Sequence, residues 1–198
     1  MNNYDQNLEK NNANYVPLTP ISFLERTKDI YPNYEAIFYK KRIYTWKQVY
    51  ERCIKFASSL EKHGIKLGDT VSIMAANTPE LFEAHYSVPM TGAVLNAINT
   101  RLDSTTITYI LKHGGAKALI VDRQFYKVVK NSLKELGKKI LIIDINDEQA
   151  NLKDSEKIGG FEYESFLKEG DSNYVWKRPT DEWQAISLSY TSGTTGNP

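Results

Sequence analysis

The sequence predicts an α/β fold: a mainly parallel sheet flanked by helices on both faces. Short apolar segments of strand length alternate with longer amphipathic segments of helix length, and residues that favour helix ends stand between them. The strand-like segments are predominantly apolar rather than alternating with charged residues. Strands of that kind are typical of a sheet that is buried on both faces.

The first clear helix lies in the stretch TWKQVYERCIKFASSLEKHG. Thr45 at the N-cap and Gln48 three residues later form a capping box, and Gly64 suits the position just after the helix. One face of this helix is apolar, because seven residues recur at helical spacing. They are Trp46, Val49, Tyr50, Cys53, Phe56, Ala57 and Leu60.

The remaining elements follow the same alternation. Four further strands are predicted, at Thr70–Ala76, Ala93–Ile98, Lys117–Asp122 and Lys139–Asp144. Thr78 is expected to cap a helix with Pro79 at its first position, and a second helix is expected from Ser104 to Gly114. A third helix follows Asp122, which we expect to cap it.

Beyond these elements the pattern weakens. Residues 145–160 form a polar insertion, predicted to be a surface loop, and Phe161–Gly170 contains a predicted short helix. The stretch SNYVWKRPTDEW has no regular pattern and is interpreted as an irregular connection. Residues 1–15 are polar and Asn-rich, which predicts a disordered leader before a folded domain over 16–198.

Composition excludes several classes of protein. The chain has 198 residues with 25 Lys and Arg against 24 Asp and Glu, which offers no electrostatic reason to expect nucleic acid or an anionic membrane as partner. No apolar run approaches the ~20 residues that span a bilayer. The single cysteine, Cys53, forms no internal disulfide and fits a reducing cytoplasmic setting. Targeting to an organelle by a C-terminal address beyond Pro198 stays open.

The chain ends in a segment with the composition of a ligand loop. In QAISLSY, Ile186, Leu188 and Tyr190 alternate with serines, which predicts a strand. The next residues combine hydroxyl groups with glycines that can take positive φ, so successive backbone N–H groups can surround an anion, most often a phosphate. These residues are Thr191, Ser192, Gly193, Thr194, Thr195 and Gly196. A connector without a ligand is the alternative, and the Walker A pattern is not matched.

The stretch YTSGTTGNP closely resembles the phosphate-binding signature of the adenylate-forming superfamily, which includes the acyl-CoA synthetases. The resemblance extends over roughly Val16 to Pro198. The segments PLTPISFLER and VPMTGAVLNAINTRL are most similar to acyl-activating enzymes for short- or medium-chain and aromatic acids. The resemblance implies activation of a carboxylic acid by Mg-ATP as an acyl-adenylate, followed by transfer to coenzyme A. It also implies that Thr191, Ser192, Gly193, Thr194, Thr195 and Gly196 hold the β- and γ-phosphates.

In this family a Lys-Gly pair normally follows the proline of the signature, and the acyl pocket, the metal-binding Glu and a mobile C-terminal domain lie further downstream. We therefore expect the chain to be the N-terminal piece of such a ligase and to bind ATP weakly by itself. Two alternatives stay open: an adenylating enzyme with another acyl acceptor, and a non-catalytic interaction module that retains the fold.

Other reactive residue types have structural interpretations. His85 is predicted to be a buried or half-buried structural residue on the face of Leu81 and Val88, and Cys53 a buried packing residue. His63 and His113 occupy the last turns of helices, where the helix dipole favours them. For two further features, a structural interpretation is weighed against contact with a ligand. The Asn99–Arg101 stretch is interpreted as a turn, and Lys127, Lys130 and Lys134 as a solvated helix face, with a coenzyme A phosphate site as the remote alternative.

Overall fold

The structure is a computed structural model that describes residue 4 and residues 6–150 and 155–191. Its six α-helices are α1 Pro20–Ile30, α2 Trp46–Lys62, α3 Pro79–Met90, α4 Ser104–His113, α5 Tyr126–Leu136 and α6 Tyr163–Lys168. Its seven strands are β1 Glu35–Tyr39, β2 Arg42–Thr45, β3 Thr70–Met74, β4 Val94–Ala97, β5 Ala116–Asp122, β6 Leu141–Ile145 and β7 Phe161–Glu162. All of these elements lie within the described ranges.

The main sheet has the strand order β4-β3-β5-β6-β7, and every pair in it is parallel. A separate antiparallel hairpin is formed by β1 and β2. The predicted α/β class with a mainly parallel sheet is confirmed. Helices α3, α4 and α5 form the crossovers from β3 to β4, from β4 to β5 and from β5 to β6, because parallel neighbours cannot be joined by a tight turn.

Two apolar layers cover the sheet, one on each face. On the first, residues of α2, α3 and α6 such as Phe56, Val88 and Phe166 pack against inward residues of the strands. On the second, residues of α4 and α5 such as Ile107 and Val129 pack against the alternate strand residues. A third cluster joins α1 and the hairpin to the outer sides of α2 and α3. The expectation of helices on both faces is confirmed.

The predicted ends of α2 and α4 agree with the structure, whereas the capping of α3 differs. The Thr45 capping box is present, with the Thr45 amide donating to Gln48 Oε1 at 2.8 Å. Helix α4 starts at Ser104 as predicted, and its N-cap is Asp103, whose carboxylate accepts the Thr106 amide at 2.8 Å. Thr78 occupies the N-cap of α3, but its hydroxyl makes no capping bond and has no hydrogen-bond partner.

Three elements were not predicted from the sequence pattern. They are α1, the β1–β2 hairpin and the two-residue strand β7. Thr19 caps α1 and Pro20 starts it, a signal that was present in the sequence. The hairpin and β7 are too short to show a clear pattern by themselves. They are stabilised by neighbours in the fold, since the hairpin packs on α2 and β7 pairs with β6.

Three further features of the described residues relate to the sequence analysis. Residues 6–14 are exposed and lie outside helices and strands, while the division into a leader and a domain over 16–198 stays a prediction. The longest helix, α2, has 17 residues and one polar face. Among the residues that the structure describes, no helix is long and apolar enough to cross a membrane.

A buried ion-pair network ties α2, α3 and α6 together. The side chain of Glu83 is fully buried and accepts two hydrogen bonds from Arg52, with Nε to Oε1 at 2.5 Å and Nη2 to Oε2 at 3.2 Å. The Tyr163 hydroxyl donates to the same carboxylate at 2.9 Å. Arg52 also donates to both oxygens of Glu164, at 3.0 and 2.6 Å. The guanidinium therefore joins one residue from each of two other helices.

Burial dominates the titration of this network. It raises the pKa of Glu83 from 4.5 to about 7, although the hydrogen bonds from Arg52 and Tyr163 favour the ionised carboxylate. Burial likewise raises the pKa of the Cys53 thiol, which has no exposed surface. Cys53 is therefore the buried packing residue predicted from its helix face.

Replacing Arg52 with methionine is expected to lower the free energy of unfolding by about 3–5 kcal/mol, because it leaves Glu83 buried without its cation. The control is Lys47→Met on the same helix, since Lys47 and Glu51 form an exposed pair at 4.0 Å. The control should lose under about 1 kcal/mol. Urea unfolding measures both, and equal losses in the two variants would contradict the role of the network.

The raised pKa of Glu83 predicts a pH dependence of stability. Because the folded state holds this proton more tightly than the unfolded state, the contribution of Glu83 is fully present below pH 4.5 and is lost as the pH rises through about 7. The free energy of unfolding of the wild type minus that of Glu83→Gln should therefore fall over this range, by an amount on the order of a few kcal/mol. Urea unfolding from pH 4 to 8 tests this, with the exposed Glu51→Gln as control, and a constant difference would refute it.

Candidate functional site

The sequence-predicted phosphate loop begins at the limit of the described residues. Thr191 is exposed and lies outside regular structure, directly after Tyr190. The other five predicted site residues, Ser192, Gly193, Thr194, Thr195 and Gly196, lie outside the described residues. The structure therefore describes the approach to the loop, which determines where its first residue emerges.

The approach is a short parallel extension of the main sheet. The Leu95 amide donates to the Ile186 carbonyl at 3.0 Å, and the Leu188 amide donates to the Leu95 carbonyl at 2.8 Å. Leu95 and Ser187 form a parallel bridge, so the predicted strand over Gln184–Ser189 is present only as this single bridge. The predicted alternation is confirmed, with Ile186, Leu188 and Tyr190 half-buried and the two serines exposed.

This extension places Thr191 at the carboxyl edge of the sheet. The segment 186–188 runs parallel to β4, so the chain that follows it leaves on the side where β4 ends at Ala97. In open parallel sheets, ligands bind outside the carboxyl ends of the strands. Thr191 therefore emerges at the edge of the sheet where ligands bind in folds of this class.

A buried amide holds the carbonyl of Leu188. Asn96 in β4 is 1% exposed, and its Nδ2 donates to the Leu188 oxygen at 2.9 Å. The Oδ1 of Asn96 accepts a hydrogen bond from the buried Ser72 hydroxyl at 3.1 Å. Both ends of the Asn96 amide are thus satisfied, and its orientation is set by β3.

An aromatic contact holds the Tyr190 side chain. His113, the last residue of α4, makes a hydrogen bond through Nδ1 to the Tyr190 hydroxyl at 2.7 Å. The His113 ring stacks on Tyr109, with centroids 5.4 Å apart and an interplanar angle of 13°. Partial burial, together with the neighbouring Tyr109, raises the pKa of the Tyr190 hydroxyl, which stays protonated at neutral pH.

A second polar cluster lies at the carboxyl ends of β3, β5 and β6. The Tyr39 hydroxyl donates to Asp147 at 2.6 Å, and Arg42 pairs with Glu80 at 2.5 Å. Burial and Asp147 raise the pKa of Tyr39 to about 12. Asp122 accepts two hydrogen bonds from Gln124 and caps the 3-10 turn Arg123–Phe125, whereas α5 itself has Phe125 at its N-cap, which corrects the prediction that Asp122 caps the helix. These hydrogen bonds and ion pairs connect the β1–β2 hairpin to the ends of the main-sheet strands.

Two cavities of about 410 and 440 Å³ flank the outer face of α3. Phe82 and His85 line both of them, and the second also reaches Ile186 and Ser187 of the approach segment. The prediction that His85 is buried is wrong. His85 is exposed and points away from the sheet, because Glu83, Ala84, Ser87 and Val88 occupy the inner face of α3. Its Nδ1 contacts the Leu81 carbonyl at 2.8 Å.

The other residues considered from the sequence have structural roles. His63 at the end of α2 contacts Glu169 at 2.8 Å and packs on Phe161 and Phe166. The Asn99 side chain accepts the Arg101 amide at 3.0 Å, as expected for a turn before α4.

The predicted solvated face of α5 is confirmed, since Lys127, Lys130 and Lys134 are exposed and Lys130 pairs with Glu156 at 2.9 Å. No local pattern in the sequence indicates the His113–Tyr190 contact, whose partners are 77 residues apart.

Comparison with known folds defines the class of protein. The structure superposes on a crystal structure of an anthranilate CoA ligase in complex with anthranoyl-AMP with a TM-score of 0.83, at 23% sequence identity, over 96% of this chain and 35% of that one. A putative long-chain-fatty-acid CoA ligase from Rhodopseudomonas palustris gives a TM-score of 0.75 at 19% identity, over 89% of this chain and 42% of that one. The fold is that of the adenylate-forming ligases.

The sequence assigns the family. Residues 24–198 match the model of the AMP-binding enzyme family, and the chain belongs to that family. It is 47% identical to an acetate–CoA ligase of Humulus lupulus over 96% of this chain and 35% of that protein. It is 44% identical to a peroxisomal benzoate–CoA ligase of Arabidopsis thaliana over 94% of this chain and 33% of that protein. The chain thus spans about a third of the length of these relatives.

Proposed function

We propose that this chain contributes the phosphate-binding edge of an ATP-dependent carboxylate–CoA ligase. The observation that carries the proposal is the parallel extension at 186–188, after which Thr191, the first residue of TSGTTG, emerges at the carboxyl edge of the sheet. Membership of the AMP-binding enzyme family supports it.

The proposed reaction has two steps. The carboxylate oxygen attacks the α-phosphorus of ATP, a P–O bond to pyrophosphate breaks, and an acyl-adenylate forms. The thiol of coenzyme A then attacks the acyl carbon as thiolate, and AMP leaves with the electron pair of the C–O bond. Activation is required because a free carboxylate resists nucleophiles, whereas AMP is a stable leaving group.

The residues proposed for the first step are those of the loop. Backbone N–H groups at Gly193 and Gly196 and the hydroxyls of Thr191, Ser192, Thr194 and Thr195 would donate to the β- and γ-phosphate oxygens. Donors directed at the departing pyrophosphate stabilise the charge that develops on it. The exposure of Thr191 is consistent with this role.

Mg²⁺ is part of the proposal as the ion that accompanies ATP. Within the described residues no cluster of three or more His, Cys, Asp or Glu side chains is arranged to hold a metal ion. We therefore place no ligand of the ion on this part of the chain and derive no step through it.

The substrate class proposed is a short-chain or aromatic carboxylic acid. Relatives at 39–47% identity include ligases named for acetate, butyrate, benzoate and trans-cinnamate. The acids themselves differ widely in size, so the class is set by the carboxylate and not by one acyl group.

A cytoplasmic location is proposed from the single buried cysteine. Several Arabidopsis relatives are named as peroxisomal, which favours the peroxisome as the second candidate. A fluorescent fusion at the N-terminus of the complete gene product, with its C-terminus left free, distinguishes the two.

The complete gene product is expected to release pyrophosphate only when both ATP and a suitable acid are present, and to form a thioester when coenzyme A is added. The measurement is a pyrophosphate assay with acetate, butyrate, benzoate, cinnamate and anthranilate. Thr194→Val should raise KM for ATP about 10- to 100-fold, since one hydrogen bond to a charged oxygen contributes about 1.5–3 kcal/mol.

Two controls accompany this assay. Thr194→Ser keeps the hydroxyl and should stay close to wild type, and Ser189→Ala changes an exposed residue of the approach segment. Absence of acid-dependent pyrophosphate release with the whole panel would refute the proposed function. Equal effects of Thr194→Val and Thr194→Ser would refute the role of the loop hydroxyl.

A further inference from the structure

We propose that Asn96 and His113 are positioning residues for the ATP-phosphate loop, acting through Leu188 and Tyr190, the last anchored residues before it. This inference rests on the proposed function. Neither residue belongs to the loop, and neither is adjacent to it in sequence. Their role is to fix the backbone and the side chain of the segment from which the loop starts.

The first anchor is the amide of Asn96. A parallel ladder between β4 and the approach segment would normally continue with another backbone N–H donating to the Leu188 carbonyl. Here the Nδ2 of Asn96 donates to that oxygen at 2.9 Å instead. This side-chain hydrogen bond takes the place of the next backbone hydrogen bond, so regular strand pairing ends at Leu188. The peptide group that follows Leu188 is still held in place. The chain is thereby released from the sheet three residues before Thr191.

The second anchor is the side chain of Tyr190, held from the end of α4. Its hydroxyl contacts His113 Nδ1 at 2.7 Å, and the two rings meet edge to face with centroids 5.7 Å apart. Gly114 provides the space for this contact, because a Cβ there would lie 3.2 Å from both the Tyr190 hydroxyl and Leu188 Cδ2. The end of α4 is therefore shaped to accept both anchored residues.

Two anchors on successive inward-facing residues have a specific consequence. Leu188 is held from β4, and Tyr190 is held from α4, so translation of the segment and rotation about its axis are both restricted. Donors that bind phosphate must be placed within a few tenths of an ångström, and ordering a free segment on binding costs free energy. Anchoring the segment beforehand removes that part of the cost, and the gain appears as tighter binding of ATP.

A double-mutant cycle on the complete gene product tests the His113 anchor. His113→Ala and Tyr190→Phe should each raise KM for ATP about three- to tenfold, with KM for the acid unchanged, because one hydrogen bond is lost. The double variant should show no larger effect than either single variant, since both remove the same contact. His113→Asn should restore KM for ATP, because the Asn carboxamide places a polar atom at the position of Nδ1.

Matched controls separate positioning from general stability. His63→Ala also removes a histidine at a helix end, but its contacts are with Glu169 and two phenylalanines, so KM for ATP should not change. Asn96→Asp puts an oxygen against the Leu188 carbonyl and should raise KM for ATP. Ser72→Ala removes the hydrogen bond that orients Asn96 and should raise KM for ATP by a smaller factor, since the Asn96 Nδ2 bond to Leu188 is kept. If Asn96→Asp fails to fold, Ser72→Ala tests the Asn96 anchor and the His113–Tyr190 cycle tests the other.

Hydrogen exchange in the complete gene product without ligands distinguishes failure of this inference from failure of the proposed function. The Leu188 amide should exchange about three- to tenfold faster than in the wild type in His113→Ala and in Tyr190→Phe. The double variant should exchange no faster than either single variant. The Leu119 amide in β5 should exchange at the wild-type rate in all of them. If the wild type releases no pyrophosphate, the proposed function fails and the exchange data alone judge the anchors. Unchanged Leu188 exchange, or additive changes in KM for ATP, would overturn the inference.

Discussion

The structure depends on one constraint, the need to bury a parallel sheet on both faces. Parallel strands cannot be joined by tight turns, so α3, α4 and α5 connect β3 to β6, and these helices together with α2 and α6 supply the two apolar layers. The inner strands β3 and β5 are almost entirely buried as a result. Residues that would be solvated on an antiparallel sheet, such as Ser72 and Asn96, are enclosed here and must hydrogen-bond to each other.

That constraint explains how the sheet positions the loop. A buried Asn96 has one amide oxygen and one amide nitrogen to satisfy, and the sheet interior offers a partner for the oxygen only. The nitrogen finds the Leu188 carbonyl at the edge. Because the buried Asn96 amide must have hydrogen-bond partners at both ends, it connects the core of the sheet to the segment that precedes the candidate phosphate site.

The same reasoning accounts for the buried ion-pair network that connects α2, α3 and α6. Arg52 contacts carboxylates from α3 and α6 because Glu83 faces the interior and needs a cation there. A buried pair of this kind contributes little to stability over an apolar alternative, but it permits one relative placement of the three helices. The outer face of α3, with His85 and Phe82, is set by that placement.

The sequence by itself determined the fold class, the order of the main elements and the position of the candidate loop. Periodicity, capping pairs such as Thr45 and Gln48, and glycine and hydroxyl content are local signals, readable without knowing what lies nearby. Tertiary structure alone decided that His85 faces outward and that Asn96 and His113 meet the approach segment. Those outcomes depend on contacts between residues that are distant in the chain, such as His113 and Tyr190, which are 77 positions apart. The local sequence does not indicate which distant group a buried polar atom will contact.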